Sequence, residues 1–204
     1  MKNEHNQESC VYCLNLVSNP NKDRDHVPGK QFFPDPKPSI PELITVPCCR
    51  RCQKTFKKDE DYVRSFLCFG PAGVTPIGKK LWKQKLARTY VKDLGLRNLI
   101  GKSFRQVDIT TPGGIYIGNR LSVDPKWPKI RSFITKLVKG LYYFEYDEVL
   151  PKSAMVQTSE QLWFFSDDLT SFLKMSRNGK RCWEGVFEYR TNRVAENPLV
   201  SMWM

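Results

Sequence analysis

The chain has no apolar run approaching the roughly 18 residues that a membrane-spanning helix requires, so no membrane span is expected. Its start, Met1-Lys2-Asn3-Glu4-His5-Asn6-Gln7, lacks the apolar centre of a secretory signal, and a cytoplasmic protein is the expectation. There is no internal repeat and no low-complexity tract, which excludes solenoids and fibrous arrays. Histidine is scarce: His5 and His26 are the two in the chain, so an imidazole base has only two places to be. Acidic residues number 21 against 33 Lys and Arg, a net charge of +12. That surplus points to a polyanion, nucleic acid ahead of a membrane surface, or to a solvated basic face. Gly113-Gly114 has no Lys-Ser/Thr after it and reads as a turn, not a phosphate loop.

Hydrophobic residues make up 40% and aromatics 12%, enough for a packed core. The seven cysteines of a chain without a secretory signal suggest bound or free thiols rather than disulfides. Four of them form two C-x-x-C pairs, Cys10/Cys13 and Cys49/Cys52. Separated by roughly 35 residues, such pairs have the spacing of a structural Zn2+ clamp, in which four thiolates close a tetrahedral site. A closed site has no open position for chemistry, so any reaction falls to what the clamp holds. Cys48 could stand in for a ligand, but Cys49 keeps the spacing to Cys52; Cys68 and Cys182 read as ordinary thiols. Buried free thiols are the alternative for the two pairs.

The expected class is α+β: a small zinc-clamped module followed by a mixed α+β domain. Residues 1–67 form the module, 68–78 a Gly/Pro linker, and 79–204 the second part, of unknown role. Pro20, Pro28, Pro34, Pro36, Pro38 and Pro41 forbid a long helix between the cysteine pairs. Leu43 to Val46 reads as a short strand, and a helix follows from Cys52. A basic helix is expected over 79–94, with strands at 104–109 and 115–123 joined by Thr110-Thr111-Pro112-Gly113-Gly114. Ile130, Phe133, Ile134, Leu137, Val138, Leu141 and Tyr142 mark a core-facing helix over 125–143. Further strands are expected at 154–158, 186–190 and 199–203, with a short helix at 167–175. The tryptophans Trp82, Trp127, Trp163, Trp183 and Trp203 read mostly as core anchors.

Between the cysteine pairs lies Asp25-His26-Val27-Pro28. A neutral imidazole can take a proton from water, and a neighbouring carboxylate can ligate a divalent cation that stabilises charge on a scissile phosphate. The structural alternative is a histidine that hydrogen-bonds the knuckle loop. The basic run of Arg50, Arg51, Lys54, Lys57 and Lys58 beside the second pair suits phosphate contacts.

Over residues 10–62 the sequence resembles the HNH (ββα-metal) endonucleases in their zinc-stabilised form. The resemblance rests on Cys10-Val11-Tyr12-Cys13, Asp25-His26-Val27-Pro28, Leu43 through Cys52, and Phe56, Asp59, Glu60 and Tyr62. It implies structural zinc on Cys10, Cys13, Cys49 and Cys52. It further implies a catalytic Mg2+ or Mn2+ on Asp25, His26 as general base, and hydrolysis of nucleic acid, DNA in the first instance. The family commonly has an Asn before the second pair, where Glu42 stands here, and Asn or His after the last cysteine, where this chain has Gln53. Gln53 offers a carbonyl oxygen as a third metal partner, Glu42 and Asp59 are further candidates to reach the site, and Lys57 stands where a second His can sit. Arg50, Arg51, Lys54 and Lys57 would contact phosphates. Two readings remain beside cleavage: a module that binds nucleic acid without cutting, and one that mediates protein contact. The sequence leaves the oligomeric state open.

Overall fold

The structure is a computed structural model that describes residues 8–17, 22–36, 43–158, 174–178 and 185–203. Helices and small antiparallel strand pairs make it a mixed α+β fold. The N-terminal part is a hairpin and a helix. Strand β1 (Lys22–His26) pairs antiparallel with β2 (Thr45–Cys49), placing Asp25 opposite Val46 and His26 opposite Thr45. The chain passes from β2 directly into α1 (Arg50–Phe69), with extended Cys49 as its N-cap. Helix α1 therefore runs past the expected boundary at 67.

The segment read as a linker is ordered backbone. It holds the end of α1, a 3-10 turn (Pro71–Val74) and the start of α2 (Pro76–Leu81), whose N-cap Thr75 accepts from the Gly78 amide at 3.0 Å. A π-helical stretch (Trp82–Leu86) joins α2 to α3 (Ala87–Lys92), and α4 (Leu94–Gly101) follows after Asp93. The basic helix thus starts three residues earlier than expected and stops before Leu94. Strands β3 (Phe104–Thr110) and β4 (Tyr116–Val123) form the expected hairpin, with an irregularity at Ile109/Thr110.

Helix α5 (Trp127–Tyr146) realises the clearest apolar stripe in the chain and closes over the N-terminal hairpin. Phe133 stacks on Phe32 with ring centroids 5.1 Å apart, and a Cβ on Gly140 would lie 2.6 Å from Val27 Cγ2. That distance leaves no room for a side chain, so glycine sets how closely the helix approaches. The Tyr62 hydroxyl accepts from the Lys126 amide at 2.8 Å, and Lys129 pairs with Asp59 at 2.8 Å. One buried cluster accordingly joins Val11, Tyr12 and Val46 to Phe133 and Leu141.

Near the C-terminus, β5 (Arg177–Asn178), β6 (Arg190–Arg193) and β7 (Ser201–Trp203) form an antiparallel sheet. Residues 154–158 are not a strand: no ladder among the described residues pairs with them and Met155 stands 81% exposed. The strand expected at 186–190 begins only at Arg190. The helix expected at 167–175 lies outside the described residues except for Lys174 and Met175, which are helical. His5, Glu42, Trp163, Cys182 and Trp183 also lie outside them. Among the described residues no helix is long and apolar enough to cross a membrane.

Candidate functional site

The two cysteine pairs meet because both sit at turns facing each other. In the first, Leu14 donates to the Cys10 carbonyl at 2.8 Å and Cys10 to the Asn15 carbonyl at 2.9 Å, a tight knuckle with Leu14 in the left-handed region at φ 64°. The Val11 amide donates to the Pro47 carbonyl at 3.1 Å, tying this knuckle to β2. The second pair straddles the β2–α1 junction, with Cys49 ending the strand and Cys52 in the first helical turn.

The Sγ atoms of Cys10, Cys13, Cys49 and Cys52 all lie within 4.8 Å of one another, and those of Cys13 and Cys49 are 3.8 Å apart. Tetrahedral coordination at about 2.3 Å puts sulfurs about 3.8 Å apart. The four are therefore positioned to hold a metal ion, consistent with a structural metal such as zinc. Cys48 stands outside this set: buried, it donates to the Cys49 carbonyl at 3.2 Å. Its contact with Cys10 draws the Cys10 thiol down to about 4, while burial pushes Cys13 and Cys52 up. Thiols held this close resist losing their protons together unless a cation shares the charge, which is what a metal supplies.

Asp25 and His26 fall on opposite faces of β1, as successive strand residues must. His26 is half-buried. Asp25 turns inward and is 6% exposed. Its Oδ2 accepts from the Tyr12 hydroxyl at 2.7 Å and lies 2.7 Å from Lys136 Nζ. Lys136, only 1% exposed, also pairs closely with Glu60 Oε1, while Glu60 Oε2 accepts from Gln31 at 3.1 Å. The backbone at Gly29 presses on the same carboxylate, where a Cβ would lie 3.1 Å from both oxygens. Burial pushes Glu60 up; Lys136 opposes this and Asp25 adds to it. Tyr12 is raised well above its ordinary value by burial, then by Asp25. The result is a largely buried network from five elements: the first knuckle, β1, the turn after it, α1 and α5.

Neither the protein-family models, nor the curated proteins, nor the solved structures contain a match to this chain.

Gln53 is half-buried one residue beyond Cys52, and Asp59 is committed to Lys129. Arg50, Arg51, Lys54 and Lys57 are exposed along the first two turns of α1. The first turn of this helix carries no acidic residue. Cations there add to the positive end of the helix dipole instead of offsetting it. Lys136 went unseen in the sequence because it interrupts an apolar stripe. The available signal was its phase, three residues after Phe133 and four before Gly140, on the face that packs inward. Tyr12 and Glu60 were within the recognised pattern, but spacing alone gave neither a partner.

Proposed function

We propose that the chain is a zinc-clamped nucleic-acid-binding protein whose hairpin-and-helix unit grips a phosphate backbone without hydrolysing it. The observation that carries this reading is the Lys136 ammonium on the Asp25 carboxylate. A divalent cation ligated by Asp25 would have to share this carboxylate with an ammonium 2.7 Å from its Oδ2. The two cations would repel each other in a buried site where screening is weak. Zinc fits the four thiolates and sets the β2–α1 junction. From that junction Arg50, Arg51, Lys54 and Lys57 reach solvent together, a basic face suited to phosphates. A chain acting on nucleic acid in this way would belong in the cytoplasm.

The second reading, the metal-dependent endonuclease that the HNH resemblance implies, is favoured by one observation. His26 reaches the side of β1 away from the lysine and is not sealed in the core. Zinc-loaded protein should shift a duplex DNA fragment with an affinity that falls steeply with salt, and should leave plasmid uncut with Mg2+ or Mn2+. Nicking that requires added metal and disappears in His26→Ala would overturn the binding reading in favour of the nuclease.

A further inference from the structure

On the side of α1 away from the four clustered cysteines is an open cleft of about 600 Å³, whose lining includes Gln31, Lys57, Asp61, Arg64, Lys92 and Asp93. Its size is within the range of about 300–1,000 Å³ usual for small-molecule sites. Its two carboxylates are already committed. Asp61 pairs with Arg64 Nη2 at 2.9 Å, and Asp93 Oδ1 caps α4 by accepting from the Leu96 amide at 2.8 Å. Its two lysines are not. Among the described residues, neither Lys57 nor Lys92 makes a hydrogen bond or close ion pair, and both are exposed.

Between them lies Arg64, only 4% exposed. Its Nη1 is a long 3.5 Å from the Gln31 carbonyl, and its enclosed Nε has no acceptor among the described residues. A guanidinium this buried, with one carboxylate for five N–H donors, is short of acceptors. Burial presses it toward its neutral form and Asp61 resists that.

We infer that this cleft is a phosphate-binding site in which Lys57 and Lys92 clasp a phosphate group from the rim and the Arg64 guanidinium faces it from the floor. A tetrahedral dianion presents enough acceptors for all three cations, and the open side leaves room for the nucleoside that carries it. The phosphate belongs to a nucleic-acid strand, an attribution that rests on the function proposed above, or to a free nucleotide of the same chemistry.

The test uses zinc-loaded full chain and Lys92→Gln, an exposed substitution outside the basic face proposed above that leaves Arg64 and the core untouched. Binding is measured against a duplex oligonucleotide over a range of salt, and against a mononucleotide by calorimetry. Loss of about tenfold in oligonucleotide affinity, with the salt slope reduced by about 1, is expected. Mononucleotide binding lost in the variant, without oligonucleotide binding by either protein, would keep the phosphate site and overturn the nucleic-acid reading. Oligonucleotide binding equal in both proteins would overturn the cleft and leave that reading standing. Binding of neither probe by the unaltered chain would overturn both.

Discussion

A lysine buried to 1% exposure against two carboxylates is an unusual choice for a helix face that otherwise packs by apolar contact. Replacing both partners of such a cluster by neutral groups can be nearly free, whereas removing one leaves uncompensated charge. Lys136→Met does the latter, leaving Asp25 and Glu60 side by side without their ammonium. A loss of about 3–5 kcal/mol at neutral pH is expected from chemical denaturation. The sign with pH follows from the direction of the shifts. Glu60 is already raised by burial, and without Lys136 the charge that most opposes this rise is gone. A folded pKa above the unfolded one makes the folded state bind more protons. The stability held below the unfolded pKa is then lost as pH rises through the folded one. The deficit of Lys136→Met relative to the unaltered chain should therefore shrink as pH falls from 7 toward 5. The difference is read at each pH so that acid loss of metal, common to both proteins, cancels. A deficit independent of pH would mean that Lys136 stabilises by packing its stem and not by its charge.

Elements with a local cause were legible from sequence, and those depending on distant partners were not. The stripe through Ile130, Phe133, Leu137 and Leu141 has the helical period within itself, and α5 appears where it was expected. Thr111-Pro112-Gly113-Gly114 likewise turns β3 into β4, with Gly114 at φ 82°. Cysteine spacing revealed the clamp because tetrahedral chemistry constrains spacing directly. By contrast, Ala154 to Thr158 has strand composition but no ladder to join among the described residues, and composition cannot report a missing neighbour. Lys136 was illegible for a related reason: its partners sit on β1 and α1, more than seventy residues away. The end of α5 offers an element-scale test. Its C-cap Asp147 adopts φ 52°, a left-handed conformation that costs an ordinary side chain energy, and places a negative charge at the negative end of the dipole. The residue is exposed and its amide donates to the Tyr143 carbonyl at 2.8 Å, a bond that glycine keeps. Asp147→Gly is expected to stabilise by about 1 kcal/mol, seen as a rise of a few degrees in Tm. An unchanged or lowered Tm would show that unfolded-state entropy outweighs the relief of strain and dipole.

The core couples the clamp to the whole molecule. Cys10, Val11 and Tyr12 belong to the same buried cluster as Phe133, Leu141 and Tyr189, so the first knuckle is part of the surface on which α5 docks. The polar link runs the same way, from Tyr12 through Asp25 to Lys136. If the metal only stapled a peripheral loop, its removal would loosen that loop and leave the rest intact. Here the knuckle shares one buried cluster with α5 and is linked to it by hydrogen bonding through Asp25. Structural zinc contributes about 10–16 kcal/mol of binding free energy in small cysteine and histidine sites. A whole domain is commonly stable by only about 5–15 kcal/mol. Chelation should therefore abolish a single cooperative thermal transition, with loss of the near-ultraviolet signal of the packed aromatics. Cys49→Ser should behave as the metal-free protein does, and a thiol–metal assay on the intact chain should return one zinc ion per molecule. A metal-free chain that kept its near-ultraviolet spectrum and its Tm would show that packing of α5 on β1 and α1 is sufficient by itself. The four cysteines would then be a site that the fold offers to a metal, not one on which it depends.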